Sequence, residues 1–525
     1  MFTNKKTLLA MSVASVFALS GCSSDDDKND VVPDPIDPPV EVVVPPEAPA
    51  ELGAVVNGNV VDASSSDVVA STIMFYENGV ASTSLVDLDG NVLTSVETED
   101  GSFTFQLADG ADVDSVTAVV MADTYVQKSF SIDLADLSEG DLQVELPLVS
   151  QSTEGVANQS VDASVSGGAS AEAITGGVAD GKATAAVTVP ASTTLLDANG
   201  DAITGSTVTL EVTAADTSSS AGAAITPEGL NSEDAETIYT PVGVASVEMV
   251  DENGTKVKKF SQPITVSMAI PADKGFTTGD ELTLVSQNED TGVWTTETQK
   301  VEVKELIADG SFYNASFMTD HLTFFSAVKG STYCSAGIRV LISGDEVPAS
   351  GLFFRVQSTD GYGSLRVRSG TSTLNARYVP GVYDGATARV TVRDVEGNTW
   401  YDSVDEVPVC GDVNVNLSAP VEYVDETLSL TAQCSNDADV SIPASGALVK
   451  YSLSGKSKKV ARSTGEAGQY TLANLVSGET YTVTVKYKDT LKSIGDKTYT
   501  ITADGTAESQ TEQLTCDVST GVTGS

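Results

Sequence analysis

Tyr481-Thr482-Val483-Thr484-Val485 and Gly468-Gln469-Tyr470-Thr471-Leu472 decide the fold class, because each alternates apolar with polar residues at a period of two. That period sends neighbouring side chains to opposite faces of an extended strand, so one face enters a core and the other meets water. Ala386-Thr387-Ala388-Arg389-Val390-Thr391-Val392 and Gly351-Leu352-Phe353-Phe354-Arg355-Val356 read as the same alternation. Val, Thr, Ser, Ala and Gly dominate, long helix-period patterns are missing, and the short runs are bounded by Gly, Asp and Asn. These features predict an all-β, multi-domain chain of tandem β-sandwiches. One core does not suffice for 525 residues, since cores stop growing near about 250 to 300.

Ahead of the strands stand Lys5 and Lys6, an apolar run from Thr7 to Leu19, and Leu19-Ser20-Gly21-Cys22. This is the tripartite layout of a secretory signal peptide, and the run is too short to span a bilayer. Leu-Ser-Gly-Cys resembles the bacterial lipobox. The resemblance implies a lipoprotein: residues 1–21 are removed, Cys22 carries diacylglycerol and an acyl chain such as palmitate, and the membrane is a partner through that lipid. An ordinary secretory signal with a chance cysteine is the alternative. Residues 22–50 hold Asp25-Asp26-Asp27 and then Pro33, Pro35, Pro38, Pro39, Pro45, Pro46 and Pro49. Proline removes donors and fixes φ, so this stretch is expected to be a disordered, extended linker outside any packed sheet, reaching up to roughly 85 Å. Ser23 after the lipid site resembles the pattern sorted to the outer membrane of Gram-negative bacteria. The acidic run is similar to export signals of surface-exposed lipoproteins, or is a solvated spacer. The expected address is therefore the bacterial outer membrane, lipid-anchored, periplasmic or surface-exposed.

A net charge of -46 argues against nucleic acid, because neutralising phosphates takes Lys and Arg. It suits a soluble surface, or one that collects divalent cations. Cys334 with Cys410, and Cys434 with Cys516, each frame one domain-length segment. Of the three possible pairings, this sequential one would clamp first to last strand within each of two domains and stabilise each by roughly 2 to 5 kcal/mol. Zinc is the rival reading, but the chain has no CxxC spacing and no His nearby. One His in the whole chain excludes His-metal clusters, Cys–His nucleophiles and a zinc hydrolase by inventory.

Residues 51–150 open with Val55-Val56-Asn57-Gly58-Asn59-Val60-Val61-Asp62 and continue through Asp100-Gly101-Ser102-Phe103-Thr104-Phe105. This order resembles carboxypeptidase-regulatory-like sandwiches. Acidic loops begin at Asp87, Asp197, Asp251 and Asp394. They read as tight hairpins from their Asp-Gly and Asn-Gly steps, or as calcium loops, although none completes the twelve-residue ligand spacing. No cofactor is expected beyond that calcium, and no other metal.

Residues 153–329 place Asp290-Thr291-Gly292-Val293-Trp294 before a terminal His321-Leu322-Thr323-Phe324-Phe325. The run resembles ZU5 and autoproteolysis-inducing (GAIN-like) β-domains, whose cleaving members break the chain between Leu and Thr. By that resemblance His321 would draw the proton from Thr323, whose oxygen attacks the Leu322 carbonyl in an N-to-O acyl shift. The other reading is that His321 caps a final strand and Leu322, Phe324 and Phe325 enter the core.

Residues 331–425 and 428–520 are expected as disulfide-linked immunoglobulin- or fibronectin-type domains. The "G-x-Y-x-L-x-x-L-x-x-G-x-x-Y-x-V" run of the last one resembles fibronectin type III and transthyretin-like modules. That domain also holds Lys450, Lys456, Lys458, Lys459, Arg462, Lys486, Lys488, Lys492 and Lys497. Lys456, Lys458, Lys459, Arg462, Lys486 and Lys488 form the candidate patch for an anionic glycan or another acidic surface, placed far from the membrane; a solvated face is the other reading. The expectation is a non-enzymatic, lipid-anchored binding or adhesion scaffold of the cell envelope, a row of sandwiches on a stalk with a surface glycan or protein as ligand. Self-cleavage, or an accessory role in an envelope secretion or assembly system, are the alternatives.

Overall fold

The computed structural model describes residues 41–520 apart from 136, 138, 139 and 232–235. The signal peptide, Cys22 and the linker to residue 40 lie outside the described residues. The chain is all-β and multi-domain; its one α-helix among the described residues is the short Ser220–Ile225. No helix among them is long and apolar enough to cross a membrane.

The first unit is two facing sheets. One orders Leu142–Leu148, Val56–Asp62, Ser102–Leu107 and Leu85–Val86, and the other centres on Ser71–Glu77, Ser115–Met121 and Lys128–Asp133. Phe75, Phe103 and Phe105 fill the space between them, with ring centroids 5.4–6.2 Å apart. Gly58 is required there, because a Cβ would lie 1.9 Å from the Phe103 ring.

The second unit departs from a two-sheet sandwich. Its strands, from Val156–Ser166 to Phe324–Thr332, join into one sheet of twelve. That sheet bends over a single core: Gly176 of Ile174–Asp180 faces Leu210 of Thr207–Ala215, and Gly243 faces Ile270 and Met268.

The third unit packs Thr373–Ala376, Ile338–Gly344 and Gly411–Leu417 against a sheet built on Leu352–Gln357 and Thr387–Arg393. The fourth packs a sheet around Tyr423–Cys434 against one around Thr480–Lys486. In the first, third and fourth units the opening strand pairs in parallel with the closing strand. Parallel pairing brings equivalent ends together. Cys334 and Cys410 precede the two paired strands of the third unit and are disulfide-bonded, with Cα atoms 5.7 Å apart. Cys434 and Cys516 close the far ends of the fourth unit's pair, 5.4 Å apart.

Three expectations need correction. The linker does not run unpaired to residue 50: Glu41–Val44 pairs antiparallel with Asp517–Thr520. No proline falls within that strand, Val43 packs on the fourth core, and the Glu47 carbonyl accepts from Thr490 Oγ1 at 2.8 Å. Leu352–Gln357 does not alternate; Leu352 to Val356 are all buried, because the outer face lies against the first unit. Nor do the units form a row: the first touches all three others.

Candidate functional site: the joints between units and the cleft they leave

Asn57 and Asn59 sit on a strand whose two faces are both buried. Buried amides need partners, and theirs come from the fourth unit. Asn57 Nδ2 and Asn59 Nδ2 donate to the Lys458 carbonyl at 2.7 and 3.0 Å, and the Lys458 amide donates to Asn59 Oδ1 at 2.8 Å. Around this strand-to-strand grip, Lys456 pairs with Asp67 at 2.8 Å, Lys492 with Asp89 at 2.9 Å, and Lys458 with Asp100. Burial opposes ionisation of Asp100, but the hydrogen bond from Lys458 prevails and holds its carboxyl well below the usual range.

The joint between first and third units holds Arg355 against Glu145, with the side chains 6% and 4% exposed. Arg366 Nη1 also donates to the Gln143 carbonyl at 3.0 Å. Lys459 of the fourth unit is buried against Glu396 of the third. Between first and second units, Ser129 Oγ donates to Gln287 Oε1 at 2.9 Å, and the Glu228 amide to the Ser129 carbonyl at 3.0 Å. Lys128 donates to the Ala224 carbonyl at 2.8 Å and lies over the rings of Phe130 and Tyr362, which brings the third unit into the same junction. Burial lowers the Lys128 pKa to about 8.

These contacts revise the basic patch. Lys456 and Lys458 face carboxylates of the first unit and Lys459 is enclosed with Glu396, so none of the three is presented outward as a ligand surface. Lys488 pairs with its neighbour Asp489 at 3.8 Å, Lys486 is half-buried and Arg462 is exposed. Local charge complementarity within the chain, between these lysines of the fourth unit and carboxylates of the first and third, is the physical reason.

The four acidic loops share one geometry. The leading aspartate, Asp87, Asp197, Asp251 or Asp394, accepts at Oδ1 from the amides two and four residues on, at 2.8–3.0 Å. The fourth residue, Gly90, Gly200, Gly254 or Gly397, has φ of 81–89°, the left-handed conformation of a hairpin turn. One oxygen of each aspartate is thus committed to backbone amides. Among the described residues no cluster of three or more His, Cys, Asp or Glu is arranged to hold a metal.

His321 ends the strand Phe312–His321. Its Nδ1 shares a 2.9 Å hydrogen bond with Thr319 Oγ1 and lies 3.3 Å from Asp320, while Nε2 is 3.4 Å from Glu297. Thr323 Oγ1 instead donates to the Gln287 carbonyl, and Leu322 is buried in the second core. The base is therefore turned to one set of partners and the hydroxyl to another, and the proposed proton transfer has no hydrogen bond to run along.

The sequence reading missed Arg355, Lys128, Asn57 and Asn59, which make the joints. Their signal was a polar or charged residue inside an apolar run, as in Leu352-Phe353-Phe354-Arg355-Val356.

The first and second units also leave a cleft of about 650 Å³ between them. It is lined by the outer faces of Ser115–Met121 and Lys128–Asp133 on one side and by Gly292 to Thr296 on the other. Gly292 makes the approach possible, since a Cβ there would come 2.3 Å from Thr117. Trp294 is oriented by donating its indole N–H to the Glu228 carbonyl at 2.8 Å.

No protein-family model matches the chain, and no curated protein does. Among solved structures, the Bacillus anthracis TIE protein is 10% identical over 70% of this chain and 58% of its own, with a TM-score of 0.14. This chain thus spans 58% of that protein's length. The minor pilin GBS52 of Streptococcus agalactiae is 9% identical over 36% of this chain and 98% of its own, TM-score 0.19. The major pilin subunit BcpA of Bacillus cereus is 9% identical over 88% and 99%, TM-score 0.14. Superpositions this loose carry no conclusion about function.

Proposed function

We propose that the chain is a lipid-anchored, non-enzymatic scaffold of the bacterial outer membrane that holds a rigid binding or adhesion body away from the bilayer. The observation that carries this reading is the enclosure of charged pairs at the joints, Arg355 with Glu145 and Lys459 with Glu396. Pairs this enclosed show that the units meet over closely packed joints that exclude water, and parting the units would break these pairs together with the hydrogen bonds of Asn57 and Asn59 to Lys458. Units linked this way act as one body and transmit load rather than flexing as beads. In this reading the Leu19–Cys22 motif supplies the anchor and residues 23–40 the stalk. Pairing of Glu41–Val44 with Asp517–Thr520 sets the fourth unit at the root of the stalk, the reverse of the far position expected from chain order.

The test is cell fractionation of the full chain and of Cys22→Ala. The variant is expected in the soluble envelope or medium. A variant that still pellets with membranes after a high-salt wash overturns the anchoring, and protease treatment of intact cells decides which leaflet the body faces.

A further inference from the structure

The cleft between the first and second units combines three features that point to one class of ligand. Its aromatic lining comes from Tyr76, Phe130, Tyr239 and Trp294. The hydroxyls of Ser115, Thr117, Ser131, Thr295 and Thr296 also line it and have no hydrogen-bond partner among the described residues. Thr117 and Ser131 are direct cross-strand partners, so their hydroxyls stand side by side on the outer face. Lastly, among the described residues no Lys, Arg or His lines the cleft, and Glu228 is the one acid. Glu228 Oε2 accepts from the Ser131 amide at 3.0 Å.

Aromatic faces beside unpaired hydroxyls match a molecule with apolar C–H faces and a rim of hydroxyls. The absence of cations, in a chain of net charge -46, disfavours an anion. A peptide added as an extra strand needs a free sheet edge. Here Ser115–Met121 is paired on both sides and the edge of Lys128–Asp133 is taken by Glu228, while Val293–Thr296 pairs on one side with Val285–Asn288 and presents a short edge of four residues. The volume is in the range that holds a few sugar rings. We propose that this cleft binds a neutral oligosaccharide. The proposal rests on the surface-scaffold reading for the ligand's source, a glycan outside the cell.

The chain carries its own reporter. Trp400 is 4% exposed and stacked on Tyr423, so Trp294 supplies the ligand-sensitive tryptophan emission. The full chain, in a sugar-free detergent, is titrated with maltohexaose, cellohexaose and chitohexaose, with trigalacturonate as the anionic probe. A saturable emission change is expected with at least one neutral hexasaccharide, with matching heat by calorimetry. Thr296→Arg, at an exposed rim position, is expected to weaken it at least tenfold with the melting temperature unchanged. No saturable change with any of the three, binding indifferent to Thr296→Arg, or a preference for trigalacturonate overturns the proposal. Fractionation of the same preparation reports on the scaffold reading separately, so a chain that pellets through Cys22 yet ignores all three sugars loses the cleft proposal alone.

Discussion

Lys459 Nζ lies 2.7 Å from Glu396 Oε1, with the two side chains 4% and 3% exposed. Tyr481 donates to the same carboxylate oxygen at 2.9 Å, and Lys459 also donates to the Asn474 carbonyl at 2.8 Å. The ammonium sits 5.0 and 5.3 Å from the ring centres of Tyr451 and Tyr481. Such a site is stable only when both charges are present, because each ion has lost its water and is compensated by the other.

Glu396→Ala is therefore expected to destabilise the third and fourth units by about 3–5 kcal/mol, through the stranded charge on Lys459. Combining it with Lys459→Met should restore most of the loss. Urea unfolding of the parent, the single and the double variant measures both. A single variant as stable as the parent would mean that water reaches the pair.

Removing the bond between Cys434 and Cys516 by a double Ser substitution should cost the fourth unit about 2–5 kcal/mol. The third unit, held by Cys334 and Cys410, should keep its own transition. Because Asp517–Thr520 follows directly on Cys516, the same change should speed proteolysis between residues 44 and 51. Peptide mapping that found Cys410 joined to Cys434 would contradict this arrangement outright.

Glu289 gives the second unit a pH dependence. It is 6% exposed, accepts from Ser246 Oγ at 2.6 Å, and its carboxyl is pushed up to about 8 by burial and then by the charge of Glu248. Lys256 and Lys258 are nearby but both pair with Asp290. An acid whose folded pKa is raised contributes its stability fully below its ordinary value and loses it as pH rises through the folded one. Stability should thus fall between about pH 4.5 and 8 from this group. Glu289→Gln should melt a few degrees higher than the parent at pH 8 and show a smaller gap at pH 5. Equal melting differences at both pH values would rule the carboxyl out as the source.

The purified chain should run as a single band on a denaturing gel, with or without reductant. Thr323→Ala should leave that pattern unchanged and cost about 1 kcal/mol, the worth of the hydroxyl's bond to the Gln287 carbonyl. Two parent bands, 22–322 and 323–525, that merge in the Thr323 variant would establish self-cleavage.

Local physics made much of this fold readable. Thr387–Arg393 alternates in burial as its sequence alternates, and the Asp-to-Gly loops turn where Asp-Gly and Asn-Gly steps predict. What stayed hidden is long-range. Glu41–Val44 looked like linker because its partner strand is the last one in the chain. Lys456 and Lys458 looked like a ligand patch because Asp67 and Asp100 are 389 and 358 residues away in sequence. Arg355 sat in plain view inside an apolar strand, but only the placement of Glu145 explains it. Composition also failed to separate one bent sheet of twelve strands from two stacked sheets, since the strands of both carry the same period.

The ribbon of Glu41–Val44 with Asp517–Thr520 bears on how the molecule can be used as a display platform. Glu41 is paired with Thr520, so a cargo fused behind that closing strand would emerge beside the point where the chain enters the body. There it would crowd the Glu41–Val44 strand and threaten its pairing. The hairpin at Asp197 to Asp201, exposed at its tip and in the second unit, is a better insertion point for an epitope meant to be seen by antibodies.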